Sequence, residues 1–218
     1  MIRSRVCVIA LALALGACDV QSLVSPDEPK EPNAALSVSG GAEPTFLRFS
    51  SEQEIKDSVA TFWAVKGDNS EVILRFQPDD DDKGGGSDEG DHFLRFKVPG
   101  EALHLRPDGT PFLEGDSVAI TIRVDPDGRF IFHFEPVGLV FNPDKPAELQ
   151  IWYDEADPDL NGDGLVDDDD VATEGLLRLF RQQDGSTIWE DIGFIEFDPL
   201  DDEIEGEVHH FTGFALAS

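Results

Sequence analysis

Val118-Ala119-Ile120-Thr121-Ile122-Arg123-Val124, then Asp125-Pro126-Asp127-Gly128, then Phe130-Ile131-Phe132-His133-Phe134 is the stretch that decides the fold. Both flanks are rich in β-branched and aromatic residues, which suit a pleated, half-buried surface. Their apolar side chains recur with a period of two. The Asp-Gly between them tolerates the positive φ of a tight reversal. The stretch reads as a β-hairpin.

Working outward, further strands are expected at Phe46–Phe49, Thr61–Val65, Val72–Phe76, Phe93–Val98, Val137–Phe141, Leu149–Tyr153, Leu176–Phe180, Ile192–Phe197 and Phe211–Ala217. Turn residues separate them: Lys66-Gly67-Asp68-Asn69, Pro107-Asp108-Gly109, Asn142-Pro143-Asp144 and Asp184-Gly185. About eleven or twelve short strands at this spacing predict an all-β domain, an antiparallel β-sandwich or barrel over residues 45–218. The sandwich is the reading adopted, with a short calcium-loop insertion described below. No long amphipathic helix is present, although Glu52–Ser58 has the length for one or two helical turns. Trp63, Trp152, Trp189 and the Phe set sit inside strand patterns and are expected in the core.

Composition narrows the function. The chain has 218 residues with 46 Asp and Glu against 16 Lys and Arg, a formal charge of −30. Such a surface does not bind nucleic acid or anionic lipid through its charge. At 40% hydrophobic residues, including 16 Phe, it is too apolar and too regular for a disordered acidic tail. The run Asp79 to Asp91, with four adjacent aspartates and three adjacent glycines, reads as a solvated loop.

The N-terminus is an address. Arg3 and Arg5 precede an apolar run, Val6 to Leu15, too short to span a bilayer. Leu15-Gly16-Ala17-Cys18 follows and resembles the bacterial lipobox. The resemblance implies that residues 1–17 are a signal peptide and that Cys18 carries lipid. The protein would then be lipid-anchored in the bacterial cell envelope, with the membrane as one partner. Cys7 is lost with the signal and Cys18 is modified, so no disulfide forms and stability must come from the core or a metal. Residues 18–44 read as a flexible linker, with Pro26, Pro29, Pro32 and Pro44 and no apolar period.

Four blocks further on occur in one order. They are Phe96-Lys97-Val98-Pro99-Gly100-Glu101-Ala102-Leu103, Phe134-Glu135-Pro136-Val137-Gly138-Leu139-Val140-Phe141, Pro146-Ala147-Glu148-Leu149-Gln150-Ile151-Trp152-Tyr153 and His210-Phe211-Thr212-Gly213-Phe214-Ala215-Leu216. Together they resemble the ZU-five domain, the β-sandwich shared by zonula occludens proteins, netrin receptors and ankyrins. The similar part runs from about residue 93 to 218. It implies a non-enzymatic interaction or spacer module, with an envelope protein or polysaccharide as partner.

The sharpest chemical signal is Asp159-Leu160-Asn161-Gly162-Asp163-Gly164-Leu165-Val166-Asp167-Asp168-Asp169-Asp170. It resembles the calcium loop of dockerins and EF-hands. Asp159, Asn161, Asp163, Leu165, Asp167 and Asp170 fall at positions 1, 3, 5, 7, 9 and 12, with Gly164 at 6. Ca²⁺ takes six or more oxygens, Leu165 would offer its carbonyl, and Gly164 permits the turn. Val166, at position 8, is expected to point to the core. The flanks depart from the EF-hand: Asp157-Pro158 precedes the loop, and only Asp168 to Glu174 has room for a helix before Gly175. An acidic surface turn without metal has the same composition.

His210-Phe211-Thr212 resembles the His-Phe-Ser at which some ZU-five domains cut themselves. The resemblance implies Thr212 as nucleophile, Phe211 as carbonyl donor and His210 as helper; a plain closing strand is the alternative. No Ser-His-Asp elbow, phosphate loop or paired cysteine ligands occur. The expectation is a non-catalytic envelope module with a structural calcium site. Replacing the anchor, Cys18→Ser, is expected to move the protein from membrane to soluble fractions; undiminished membrane retention would refute lipidation.

Overall fold

The structure, a computed structural model, describes residues 44–78, 90–183 and 185–218. The expectations for residues 1–17, Cys18, the linker up to residue 43 and the acidic run 79–89 lie outside the described residues.

Period-two patterning produces antiparallel strands throughout. One sheet has six strands in the order β1 (Val59–Val65), β5 (Ser117–Val124), β6 (Ile131–Glu135), β13 (Gly213–Ala217), β9 (Arg178–Gln182) and β10 (Trp189–Asp191). A second has five: β11 (Glu196–Asp198), β12 (Glu203–Val208), β8 (Ala147–Trp152), β3 (His92–Val98) and β2 (Ser70–Arg75). A small ladder joins β4 (Leu103–Leu105) to β7 (Val140–Phe141). Among the described residues one helix, α1 (Asp168–Glu174), lies between β8 and β9. The protein is an all-β antiparallel sandwich.

The deciding hairpin forms as read, with Thr121 opposite Glu135 and Arg123 opposite His133. At its turn, Gly128 has φ +72° and its N–H donates to the Asp125 carbonyl. The buried Asp125 carboxylate accepts from Arg129 Nε at 2.6 Å, which holds the reversal.

A Phe layer joins the sheets. Phe96 of β3 meets Phe134 of β6 edge-to-face at 5.0 Å, and Phe93 faces Phe132 at 6.3 Å. Phe211 fills the end of the gap, 5.6 Å from Phe96, 5.1 Å from Phe134 and 5.1 Å from Phe141. Burying one such ring is worth roughly 1.5–3 kcal/mol, with about 0.5–1.5 more for each well-placed aromatic pair. Gly206 on β12 lets the layers close, since a Cβ there would collide with the Leu179 side chain of β9.

The segment before residue 93 belongs to the same sandwich. β1 pairs with β5 in one sheet and β2 with β3 in the other. Phe49 stacks on Phe130 at 3.9 Å.

Several expectations are corrected. Glu52–Ser58 forms no helix; Ile55 bridges to Phe76, and Lys56 and Asp57 donate their N–H groups to the Arg75 carbonyl. Trp63 is 65% exposed, because on β1 it alternates with Phe62 and Ala64, which take the inner face. Trp189 is half-buried on the outside of the six-stranded sheet, 5.2 Å from Phe46. The strand expected at Val137–Phe141 shrinks to two residues, since Pro136 and Gly138 (φ +82°) hold a turn. Strands β4, β10 and β12 were not anticipated; β12 (Glu-Ile-Glu-Gly-Glu-Val) hides its alternation behind Gly206.

Truncating Phe96, which is fully buried, to Ala is expected to cost about 3–5 kcal/mol in denaturant unfolding. Trp63→Ala is expected to stay within about 0.5 kcal/mol. Equal losses at the two positions would contradict the assignment of inner and outer faces.

Candidate metal centre

The Asp159–Asp170 loop is the crossover from β8 in one sheet to β9 in the other. Leu160 anchors its start against the core, and α1 closes its end. α1 begins where the sequence allows. Asp167 is its N-cap, accepting from Asp169 N–H at 2.9 Å, and Asp168, Asp169 and Asp170 place negative charge in the first turn. Tyr153, buried at the end of β8, donates its hydroxyl to Glu174 at 3.3 Å and ties the helix to the sheet. Burial, and then the Glu174 charge, push that phenol above its usual range.

Inside the loop the side chains turn inward onto backbone N–H groups. Asp159 accepts from Asp163 N–H at 3.0 Å and from Gly164 N–H at 2.8 Å. Asn161 Oδ1 accepts from Asp163 N–H at 2.8 Å, and Asp163 from Leu165 N–H at 2.8 Å. Asp170 closes the ring, accepting from Asn161 N–H at 3.2 Å and Asp167 N–H at 2.8 Å. It is 3% exposed. The Asp167 N–H foremost, then those of Asn161 and Leu160, hold its carboxyl below the ordinary aspartate value against the opposing effect of burial. Gly164 has φ +88°, a conformation costly for any residue with a Cβ.

The structure thus brings Asp159, Asn161, Asp163, Asp167 and Asp170 onto one loop, with Leu165 at its outer bend. Among the described residues, no three His, Cys, Asp or Glu side chains draw together into a ready metal cluster. The fit to Ca²⁺ rests on donor chemistry. All six positions offer hard oxygens, and an oxygen that accepts one N–H keeps a second lone pair for a cation. Val166 contradicts its expected place: it is 67% exposed, because among the described residues no second helix stands over the loop to receive it.

Nearby carboxyls escaped the sequence reading. Burial first, and then neighbouring carboxylates, push the pKa of both Asp154 and Asp202 upward: Asp202 and Asp91 act on Asp154, and Asp201 on Asp202. Asp202 comes from the turn before β12, too far along the chain for any local signal to associate it with β8.

The second constellation faces β9. Thr212 is buried and donates its hydroxyl to the Gln182 carbonyl at 2.7 Å. His210 Nε2 accepts from the Arg181 guanidinium, which also pairs with Glu190 at 2.8 Å. The Phe211 carbonyl accepts from Gly138 N–H at 3.3 Å, and the ring is fully buried. These contacts belong to a strand end locked into its sheet. His92, outside both constellations, packs edge-on against Trp152 at 4.1 Å.

Comparison with models of known families, with curated proteins and with solved structures finds no match.

Because the folded-state pKa of Asp170 is lowered, its charged form stabilises the fold above the unfolded value of 3.8 and that contribution fades as pH falls below it. Asp170→Asn is therefore expected to unfold more easily than the parent at pH 7, with the two converging in acid. A difference independent of pH would refute the charged role.

Proposed function

We propose that the protein is a lipid-anchored, non-catalytic module of the bacterial cell envelope, an adhesion, scaffold or spacer domain whose crossover loop holds one structural Ca²⁺. The observation that carries the calcium reading is the loop itself: Asp159, Asn161 and Asp163 turn their side-chain oxygens onto the amides of the turn at Gly164, and Asp170 reaches back from α1 to the Asn161 and Asp167 amides. Asp159, Asn161, Asp163, Asp167 and Asp170 would supply side-chain oxygens and Leu165 its carbonyl. The ion would offset the mutual repulsion of four ligating carboxylates on a chain of charge −30.

A structural role suits the position. The loop joins the two sheets, no disulfide is expected, and an ion bound only by the folded chain adds directly to its stability. The non-catalytic reading is supported by the Phe-filled interior. The ZU-five resemblance agrees in kind: its four blocks fall on β3 to β4, β6 to β7, β8 and β13, which are strands and the turns between them.

Thermal melting tests the calcium reading. At free Ca²⁺ about a hundredfold above Kd, stabilisation of about 2.7 kcal/mol is expected, a rise of roughly 5–10 °C for a domain of this size. Chelator should reverse it. Asp163→Ala removes an exposed ligand and is expected to abolish the response while leaving the chelated melt near that of the parent. The same melt with Ca²⁺ and with chelator would refute the site.

A further inference from the structure

We propose that β1 is the interface of a two-fold dimer, in which it pairs antiparallel with β1 of a second copy of this chain and joins the two six-stranded sheets into one.

The first observation is an open edge. β1 (Val59–Val65) ends the six-stranded sheet and, among the described residues, pairs only with β5. Antiparallel strands turn the backbone groups of alternate residues to opposite sides. Val124 N–H donates to the Ser58 carbonyl, and Lys66 N–H to the Asp116 carbonyl. With Val59 opposite Arg123 and Val65 opposite Ser117, the even-numbered residues between them are the ones that bond β5. The odd-numbered residues face the other way. The Val65 carbonyl takes the Asp68 N–H at 3.1 Å, while Thr61 and Trp63 aim both backbone groups at the free side. Such a row is a template for another strand.

The second observation is charge. β1 reads Val-Ala-Thr-Phe-Trp-Ala-Val, seven residues without a charge in a chain of −30. The other sheet ends are guarded. β10 is Trp-Glu-Asp, β11 is Glu-Phe-Asp, and β2 carries Glu71 and Arg75. Charged side chains are a common protection of an edge, and β1 lacks them. Two copies of so acidic a chain repel over most of their surfaces. β1 is the sheet end at which neither copy brings a charge.

The third observation selects the occupant. Read backwards, the β1 sequence differs only by the exchange of Thr61 and Trp63 about Phe62. A two-fold interface needs this kind of self-complementarity, since if one residue meets a second, the second must meet the first. Antiparallel pairing centred on Phe62 sets Val59 opposite Val65 of the second copy, Ala60 opposite Ala64, Thr61 opposite Trp63, and Phe62 opposite its own equivalent. This register uses the whole strand. It also sets odd-numbered residues opposite one another, as the free backbone groups require. The faces agree. Inside, Phe62 packs on the core 6.4 Å from Phe96, and at the axis it would carry the aromatic layer into the second copy. Outside, Trp63, 65% exposed, would cover Thr61 of the second copy, whose hydroxyl pairs with that of Thr121 at 2.9 Å.

Sedimentation equilibrium of the purified protein, from micromolar to millimolar concentration, tests the proposal together with hydrogen exchange. One strand edge makes a small interface, so the dimer is expected to appear within that range. The mass should double and then stop rising. The Thr61 and Trp63 amides should gain protection as the dimer forms, while those of Ala60, Phe62 and Ala64, already bonded to β5, should not change. Thr61→Lys, at an exposed position, should keep the melt of the monomer and raise the dissociation constant about tenfold, because symmetry brings the new charge into the interface twice. Thr61→Val should leave the dimer intact. A single-chain mass at every concentration would overturn the proposal, as would Thr61 and Trp63 amides already protected in the monomer. Masses growing beyond two chains, or a dimer indifferent to Thr61→Lys, would overturn it equally.

Discussion

Phe96 and Phe134 face each other across the sandwich, and the rest of the molecule depends on that layer. Two sheets of six and five strands are held face to face by apolar burial. Aromatic rings suit this task because each covers a large area and meets its neighbours at fixed angles. Most strands that reach the layer do so through period two, which leaves the opposite face free to carry charge; β13 is buried on both faces. The extreme acidity of the chain is the consequence: the core takes the Phe, and the outer faces and turns take the Asp and Glu.

That division explains which parts of the fold were legible. The β5–β6 hairpin was readable because both strands alternate strongly and the turn has its own chemistry. α1 was readable from its two limits, the acidic first turn and Gly175. Strand β12 was not, since Glu203, Glu205 and Glu207 suggest a solvated segment while Ile204, Gly206 and Val208 make the inner face. Gly206 looks like a turn residue and is in fact the space into which Leu179 packs. Trp63 misled for the opposite reason. Its size suggests burial, but strand register, fixed by Phe62 and Ala64, turns it outward.

The Asp159–Asp170 loop shows the same contrast. Its ligand spacing and Gly164 were visible in twelve consecutive residues, because loops of this kind are coded locally. What the loop joins was not visible. Only the topology shows it to be the passage between two sheets, with Gly162 beside Thr45 and its helix tied to β8 through Tyr153 and Glu174. Val166 was placed wrongly because the expectation borrowed a second helix that is not found among the described residues. Its exposure turns an expected core residue into a surface one.

The central claim is that the acidity of this chain is organised at one loop, Asp159 to Asp170, into a site for a single cation. Calcium titration followed by amide NMR tests it most directly, because it reports both stoichiometry and place. The account predicts one equivalent of Ca²⁺, with the largest shifts at the Asp163, Gly164 and Leu165 amides that now bond the loop carboxylates. Saturation at one equivalent with unmoved amides there, or shifts centred on the Asp79–Asp91 run, would contradict it.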